Sequence, residues 1–337
     1  MSSSVHSQEP IPVEDLDDDL DSAYGEGFAA STASLTDSIR EYREIHGRTY
    51  QNYKGSEYWG PNDERQSDQL DLVHHMLTLL LDGKLFLAPI GPAPQKVLDV
   101  GTGTGIWAMD FADQYPSAEV IGTDISNTMP LFVPPNCRFE LDDAELDWTF
   151  APSSFDFIHI RYMMGSIGDW PRLYGQAFDA LKPGGWLEHF ELSVKFDCDD
   201  GTLTEDNPLT KWAPIQTEAS ERMGKSFVVS TFTRERMKEA GYVDVKEYKY
   251  KLPVGPWSSD KRMKEIGAWN LFFFLRDTEG FCIYLLGKVM GWEHASVLAW
   301  VHEISTALKN PRVHVYYKAS LVYGRKPEAV ESIMCYD

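Results

Sequence analysis

The sequence predicts an α/β fold, a mostly parallel sheet with helices on both faces. Three observations predict it. From about residue 96 onward, short apolar runs of strand length alternate with segments of helical period. The first of these runs, Lys96–Val100, feeds directly into the glycine turn Gly101-Thr102-Gly103-Thr104-Gly105. Further on, Lys182-Pro183-Gly184-Gly185 stops a helix immediately before another apolar run, which is sound turn chemistry between two elements of a crossover unit.

Taken in chain order, residues 1–36 are rich in Ser, Asp and Gly and are expected to be a disordered acidic tail. Within it, Glu9, Glu14, Asp15, Asp17, Asp18, Asp19 and Asp21 occur with no Lys or Arg before residue 23, and a basic protein partner could dock there. Asp37–His46 is expected to be helical. Gly47–Asp63 reads as a loop carrying Tyr50, Tyr53, Tyr58 and Trp59. Asp63-Glu64 opens a helix with Leu70, Val73, Leu77 and Leu81 on one face, ending near Gly83. Residues 37–90 are thus expected to form a helical and aromatic cap.

The catalytic domain is expected over 91–327. Lys96–Val100 is a buried strand, Ile106–Tyr115 a helix stopped by Pro116, and Ala118–Asp124, Arg138–Leu141 and Phe155–Ile160 are the next three strands. Trp170–Leu181 is a helix and Trp186–Leu192 a fifth strand. Residues 197–230 look like an insertion. Thr233–Ala240 is a helix closed by Gly241, Val243–Leu252 a strand, 259–309 a second, mostly helical insertion, and Val313–Tyr323 a last strand. Residues 328–337 are a tail.

Composition narrows the function. A net charge of −21 over 337 residues repels phosphate backbones, so direct nucleic-acid binding is not expected. The four cysteines (Cys137, Cys198, Cys282, Cys335) lack CxxC or metal-type spacing, which suits a reducing compartment and no metal site. No secretory signal pattern is present, and the most apolar stretch, Asn270–Trp292, is broken by Arg276, Asp277, Glu279 and Lys288, so no membrane span is expected. The cytoplasm is the expected location, with the nucleus as alternative.

The glycine turn carries the chemistry. Glycines let the backbone approach a ligand closely, and the helix that follows offers unpaired N–H groups. A dinucleotide loop, G-x-G-x-x-G/A, would place a small residue where this sequence has Ile106. Asp99 lies just before the turn. A pyrophosphate has no use for a carboxylate there, whereas a ligand with a cationic amino-acid end does. That points to S-adenosylmethionine, with Asp99, Gly101, Thr102, Gly103 and Gly105 as cofactor-binding residues. Asp124, ending the second strand, suits ribose hydroxyls, with Ile125 beside it. Asp142 or Asp143, after the third strand, suits an adenine amino group.

These residues resemble motif I of class I methyltransferases, and more narrowly the fungal LaeA-like methyltransferases of secondary metabolism. Further matches to that group are Gly47-Arg48-Thr49-Tyr50, Asn62-Asp63-Glu64, Leu70-Asp71-Leu72-Val73-His74, Val133–Phe139, Gly165–Pro171 and Gly324–Pro327. The resemblance implies a Rossmann-like, seven-stranded, mostly parallel sheet with an antiparallel last strand and an N-terminal helical cap over the cofactor. It makes Tyr50, Tyr53 and Tyr58 candidate walls for the sulfonium, since aromatic faces attract cations. The group contains both enzymes acting on small molecules and regulators working within nuclear protein complexes, so a small-molecule acceptor is the first expectation and a regulatory role the second.

A base is needed only if the acceptor must lose a proton. By the period-two rule His159 and Arg161 share one face of the fourth strand, and His189 and Glu191 one face of the fifth. His189, His159 and Glu191 are the candidate bases.

Overall fold

The computed structural model describes residues 42–52 and 56–328. The predicted acidic tail, Tyr53, Cys335 and most of the expected C-terminal tail lie outside them.

The chain enters through a hairpin, β1 (Arg43–Ile45) and β2 (Arg48–Tyr50), paired Arg43↔Tyr50 to Ile45↔Arg48. This corrects the helix expected over Asp37–His46, in so far as its end is described. His46 and Gly47 have φ of 50° and 77°, and two successive left-handed residues make the tight turn that joins twisted strands and that a helix cannot contain. Helix α1 (Glu64–Leu80) begins where expected: the Asp63 side chain accepts from the Gln66 amide as N-cap. Its buried face packs on α6 (Lys261–Asp277).

The main sheet contains β3 (Lys96–Val100), β4 (Glu119–Asp124), β5 (Cys137–Leu141), β6 (Phe155–Arg161), β7 (Leu181–Asp197), β8 (Val243–Pro253) and β9 (Tyr316–Arg325). Their order is β5-β4-β3-β6-β7-β9-β8. β5 to β7 are parallel, and β9 runs antiparallel to both β7 and β8. The strands start from β3 and step outward in both directions, so two crossovers diverge between β3 and β6. Ligands of open α/β sheets bind at such a switch point, outside the carboxyl ends of the strands.

Helices α2 (Ile106–Gln114), α3 (Trp170–Ala180) and α5 (Thr233–Glu239) connect the strands. β7 is longer than expected because it takes in Lys182–Gly185. Gly184 has φ of 80°, and backbone bonds Gly184 N→Lys326 O and Lys326 N→Gly185 O tie the turn to the end of β9. The region expected as a first insertion carries α4 (Leu209–Arg222). The second carries α6, a wider π-type helical segment (Ile283–Val289) and α7 (His294–Leu308). Among the described residues no helix is long and apolar enough to cross a membrane.

Candidate active site

The switch point opens into a partly open cavity whose empty space is about 1110 Å³. Its floor is built by strand ends: Asp99, the glycine turn, Thr123 to Ser126, Asp142 to Glu145, and Arg161 to Met163. Its roof comes from the cap: Ser56, Tyr58 and Asn62 from the loop before α1, and Gln66, Leu70 and Val73 from α1.

The turn needs its glycines. Gly101, Gly103 and Gly105 have φ of 69°, 59° and 79°, which side chains rarely adopt. A Cβ at Gly101 would run into Met163 Sδ, and one at Gly105 into the Phe139 ring. The Gly103 amide donates to Asp124 Oδ2 at 2.8 Å, and the Ser126 amide to Asp124 Oδ1 at 2.8 Å, fixing that carboxyl at the cavity wall. Burial, with Asp99 nearby, pushes the Asp124 carboxyl up to about 6.

Asp99 is buried and already engaged on both oxygens: Thr102 Oγ1 donates to Oδ2 at 2.6 Å and His159 Nδ1 lies 2.7 Å from Oδ1. Burial holds the His159 imidazole down to about 4, so at neutral pH it is uncharged. The register explains the contact. Asp99 and His159 are paired across β3 and β6, and His159 and Glu188 across β6 and β7, so the three share one face. Arg161, two residues beyond His159, faces the cavity. Burial brings its guanidinium down to about 10, still charged at neutral pH, and it bonds His74 Nδ1 of α1 at 3.1 Å.

At the other end, Ser56 Oγ donates to Asp143 Oδ2, closing the cap over the loop after β5. Lys225 Nζ ties Glu145 Oε2 and the Ser166 carbonyl together, each at 2.6 Å.

The structure thus brings Asp99, Gly101, Thr102, Gly103, Asp124, Ile125, Asp142, Asp143 and Tyr58 to one cavity. Gly105 lies at its edge as the N-cap of α2. Tyr50 is not brought there: it is fully buried and its ring faces Tyr284 at 5.4 Å. The three candidate bases also stay outside the lining. His159 is stacked on Trp107 at 3.7 Å beneath Asp99. His189 and Glu191 lie in the core, His189 Nδ1 being 2.8 Å from the Tyr174 hydroxyl and Nε2 2.8 Å from Glu191 Oε1. Among the described residues no histidine lines the cavity and no cluster of His, Cys, Asp and Glu could hold a metal.

Two lining residues escaped sequence reasoning. Tyr162 directly follows β6 with φ of 57°, strained for a bulky residue, and no local sequence signal marks it. Asn62 is 9 % exposed, yet neither Nδ2 nor Oδ1 has a hydrogen-bond partner. Each such buried group costs about 1–3 kcal/mol. Its neighbour Asp63 announced a helix cap, which hid the second use of the segment.

The methyltransferase-domain family profile matches residues 72–247. The chain is 37% identical over 299 residues to the methyltransferase pytC of Aspergillus terreus, spanning 88% of this chain and 92% of that protein. It is 35% identical over 289 residues to the secondary metabolism regulator LAE1 of Cochliobolus heterostrophus, spanning 84% and 94%. It is 36% identical over 296 residues to the probable methyltransferase tdiE of Emericella nidulans, spanning 88% and 92%.

Proposed function

The chain belongs to the methyltransferase-domain family, and from that premise we propose that it transfers a methyl group from S-adenosylmethionine to a small-molecule acceptor. The observation that carries the cofactor is the convergence of Asp99, the left-handed Gly101 and Gly103, and Asp124 on one cavity. These residues fit the group. The left-handed glycines let the backbone turn sharply there, Asp99 offers negative charge to an ammonium, and Asp124 offers acceptors to ribose hydroxyls. Asp142 or Asp143 would accept from the adenine amino group, and Ile125, which lines the same cavity, would face the ring. Tyr58 supplies an aromatic wall on the cap side.

The cofactor supplies an activated methyl on sulfur. Asp99, the glycine turn and Asp124 would hold that group, with its methyl presented to an acceptor in the same cavity. The protein's contribution is alignment and exclusion of water. Burial raises the phenols of Tyr58 and Tyr162 well above the usual tyrosine range, so neither is a base at neutral pH.

The test is thermal: S-adenosylhomocysteine raises the melting temperature of the protein and NAD does not. Gly103→Arg abolishes the shift, because the new side chain starts at a φ of 59° with Leu70 Cδ1 3.1 Å from its Cβ. Absence of any shift in the wild type would remove the reading.

A second reading, a regulatory role in a protein complex, is favoured by the likeness to the secondary metabolism regulator LAE1 and by the acidic residues 1–22. Recovery of a stoichiometric protein partner from a native extract, dependent on residues 1–36, would support it.

A further inference from the structure

The guanidinium of Arg161 lines the cavity from the end of β6 and stays charged at neutral pH. Its one hydrogen bond runs from Nη2 to His74 Nδ1 at 3.1 Å. That acceptor is neutral: His74 Nε2–H is turned to Asp110 Oδ2 at 2.9 Å, and burial keeps the imidazole below its ordinary range. Four carboxylates feel the Arg161 charge, and each is turned to other donors. Asp99 is held by Thr102 and His159, Asp110 by His74, Asp71 by Thr104 Oγ1 and Glu188 by two main-chain amides. No ion pair joins Arg161 to a described residue.

Arg161 Nε and Nη1 make no hydrogen bond and remain accessible from the cavity. An uncompensated charge inside a protein is destabilising, so the fold gains nothing from it unless a ligand answers it. The paired N–H groups of a guanidinium match the two oxygens of a carboxylate. The rest of the lining sets the charge that such a ligand can carry. Asp99, Asp124, Asp142 and Asp143 border the same space, and Lys225 is taken up by Glu145. That field repels a phosphate with two charges and admits a singly charged carboxylate at Arg161.

Building on the methyltransferase reading above, we propose that Arg161 is the carboxylate-binding residue of the cavity, taking in its open N–H groups either the carboxylate of the cofactor's amino-acid end or one carried by the methyl acceptor. His74 holds the guanidinium at the joint between β6 and α1 without neutralising it.

Calorimetry on the full chain reads both the contact and its source. S-adenosylhomocysteine and methylthioadenosine share a nucleoside, and only the first has an amino-acid end. If the cofactor supplies the carboxylate, Arg161→Gln weakens S-adenosylhomocysteine at least about tenfold and leaves methylthioadenosine within about threefold. If the acceptor supplies it, both nucleosides bind the variant as they bind the wild type. Benzoate then binds the wild type saturated with S-adenosylhomocysteine at least about tenfold more tightly than benzamide, and Arg161→Gln abolishes that preference. If Arg161→Gln fails to fold, Arg161→Lys decides: it keeps the charge without the paired donors, and weakens the same carboxylate ligand at least about threefold. The proposal is overturned if the variant alters neither the contrast between the nucleosides nor the preference for benzoate. It is also overturned if the variant weakens both nucleosides equally, which would assign Arg161 to the shape of the nucleoside site. Failure of both nucleosides to bind the wild type is a different result: it removes the underlying reading, and the proposal with it.

Discussion

Glu191 holds the main chain of Met163: its Oε1 lies 2.7 Å from the Met163 amide nitrogen, and the same oxygen is met by His189 Nε2 at 2.8 Å. Met163 follows Tyr162, so this carboxyl braces the left-handed turn that aims Tyr162 into the cavity. Two of the three residues proposed as bases from strand periodicity, His189 and Glu191, therefore act on the site from behind. Glu191→Ala leaves the Met163 amide and His189 without their partner, and is expected to lower unfolding free energy by about 3–5 kcal/mol in urea titrations. A loss under about 1 kcal/mol would show that the turn stands without it.

The sheet was most legible where a strand runs into a residue that breaks it. Val100 meets Gly101, and the predicted β3 matches the observed one residue for residue. The glycine turn and both aspartates were legible for the same reason: their spacing from strand ends is a local property. The hairpin at His46-Gly47 was misread because a short polar segment has no period to reveal it. Tyr50 was misplaced because a tyrosine in an aromatic segment looks alike whether it faces Tyr284 or a ligand. His189 and Glu191 show the limit of the period-two rule, which gives two faces and does not say which one meets the cavity.

If Asp124 holds the cofactor as proposed, binding should be sensitive to mild acid. Its carboxyl is raised from 3.8 to about 6, so in the free protein it takes up a proton as pH falls through 6. On that reading the ionised form would be the stronger acceptor for ribose hydroxyls. Affinity for S-adenosylhomocysteine should be flat above pH 7 and decline below 6, approaching about tenfold per pH unit. Asp124→Asn should bind more weakly at pH 7 and show no such decline. An unchanged profile in that variant would place the titration on another group.

Glu188 stores a pH-dependent instability. It is fully buried, its Oε2 accepts from the Leu87 and Ala88 amides, and its Oε1 has no partner. Burial raises the carboxyl from 4.5 to about 8. In the unfolded chain the group ionises near 4.5, so its favourable share of stability is complete below that pH and is lost as pH rises through 8. Glu188→Gln keeps the shape and the acceptor for both amides while removing the charge. The variant should exceed the wild type by on the order of 2 kcal/mol at pH 8, with the gap closing below pH 4.5, as read by denaturant titration across pH.

The cap is locked to the inserted helix by charge. Arg48 bonds Asp63 Oδ1 at 2.9 Å and Asp277 Oδ2 at 2.7 Å, and Arg65 reaches Asp277 Oδ1 at 3.1 Å. Arg48 and Asp277 are buried, so removing one partner strands a charge in the interior. Arg48→Met leaves Asp63 to its capping role and Asp277 with the half-exposed Arg65 alone. The expected loss is about 3–5 kcal/mol. Because Asp63 is both the cap of α1 and the neighbour of Asn62, the damage should reach the roof of the cavity before the sheet. Hydrogen exchange should therefore rise in residues 56–70 while β3 and β6 keep their protection. Uniform exchange across roof and sheet would mean that the clamp serves the whole fold and not the cap.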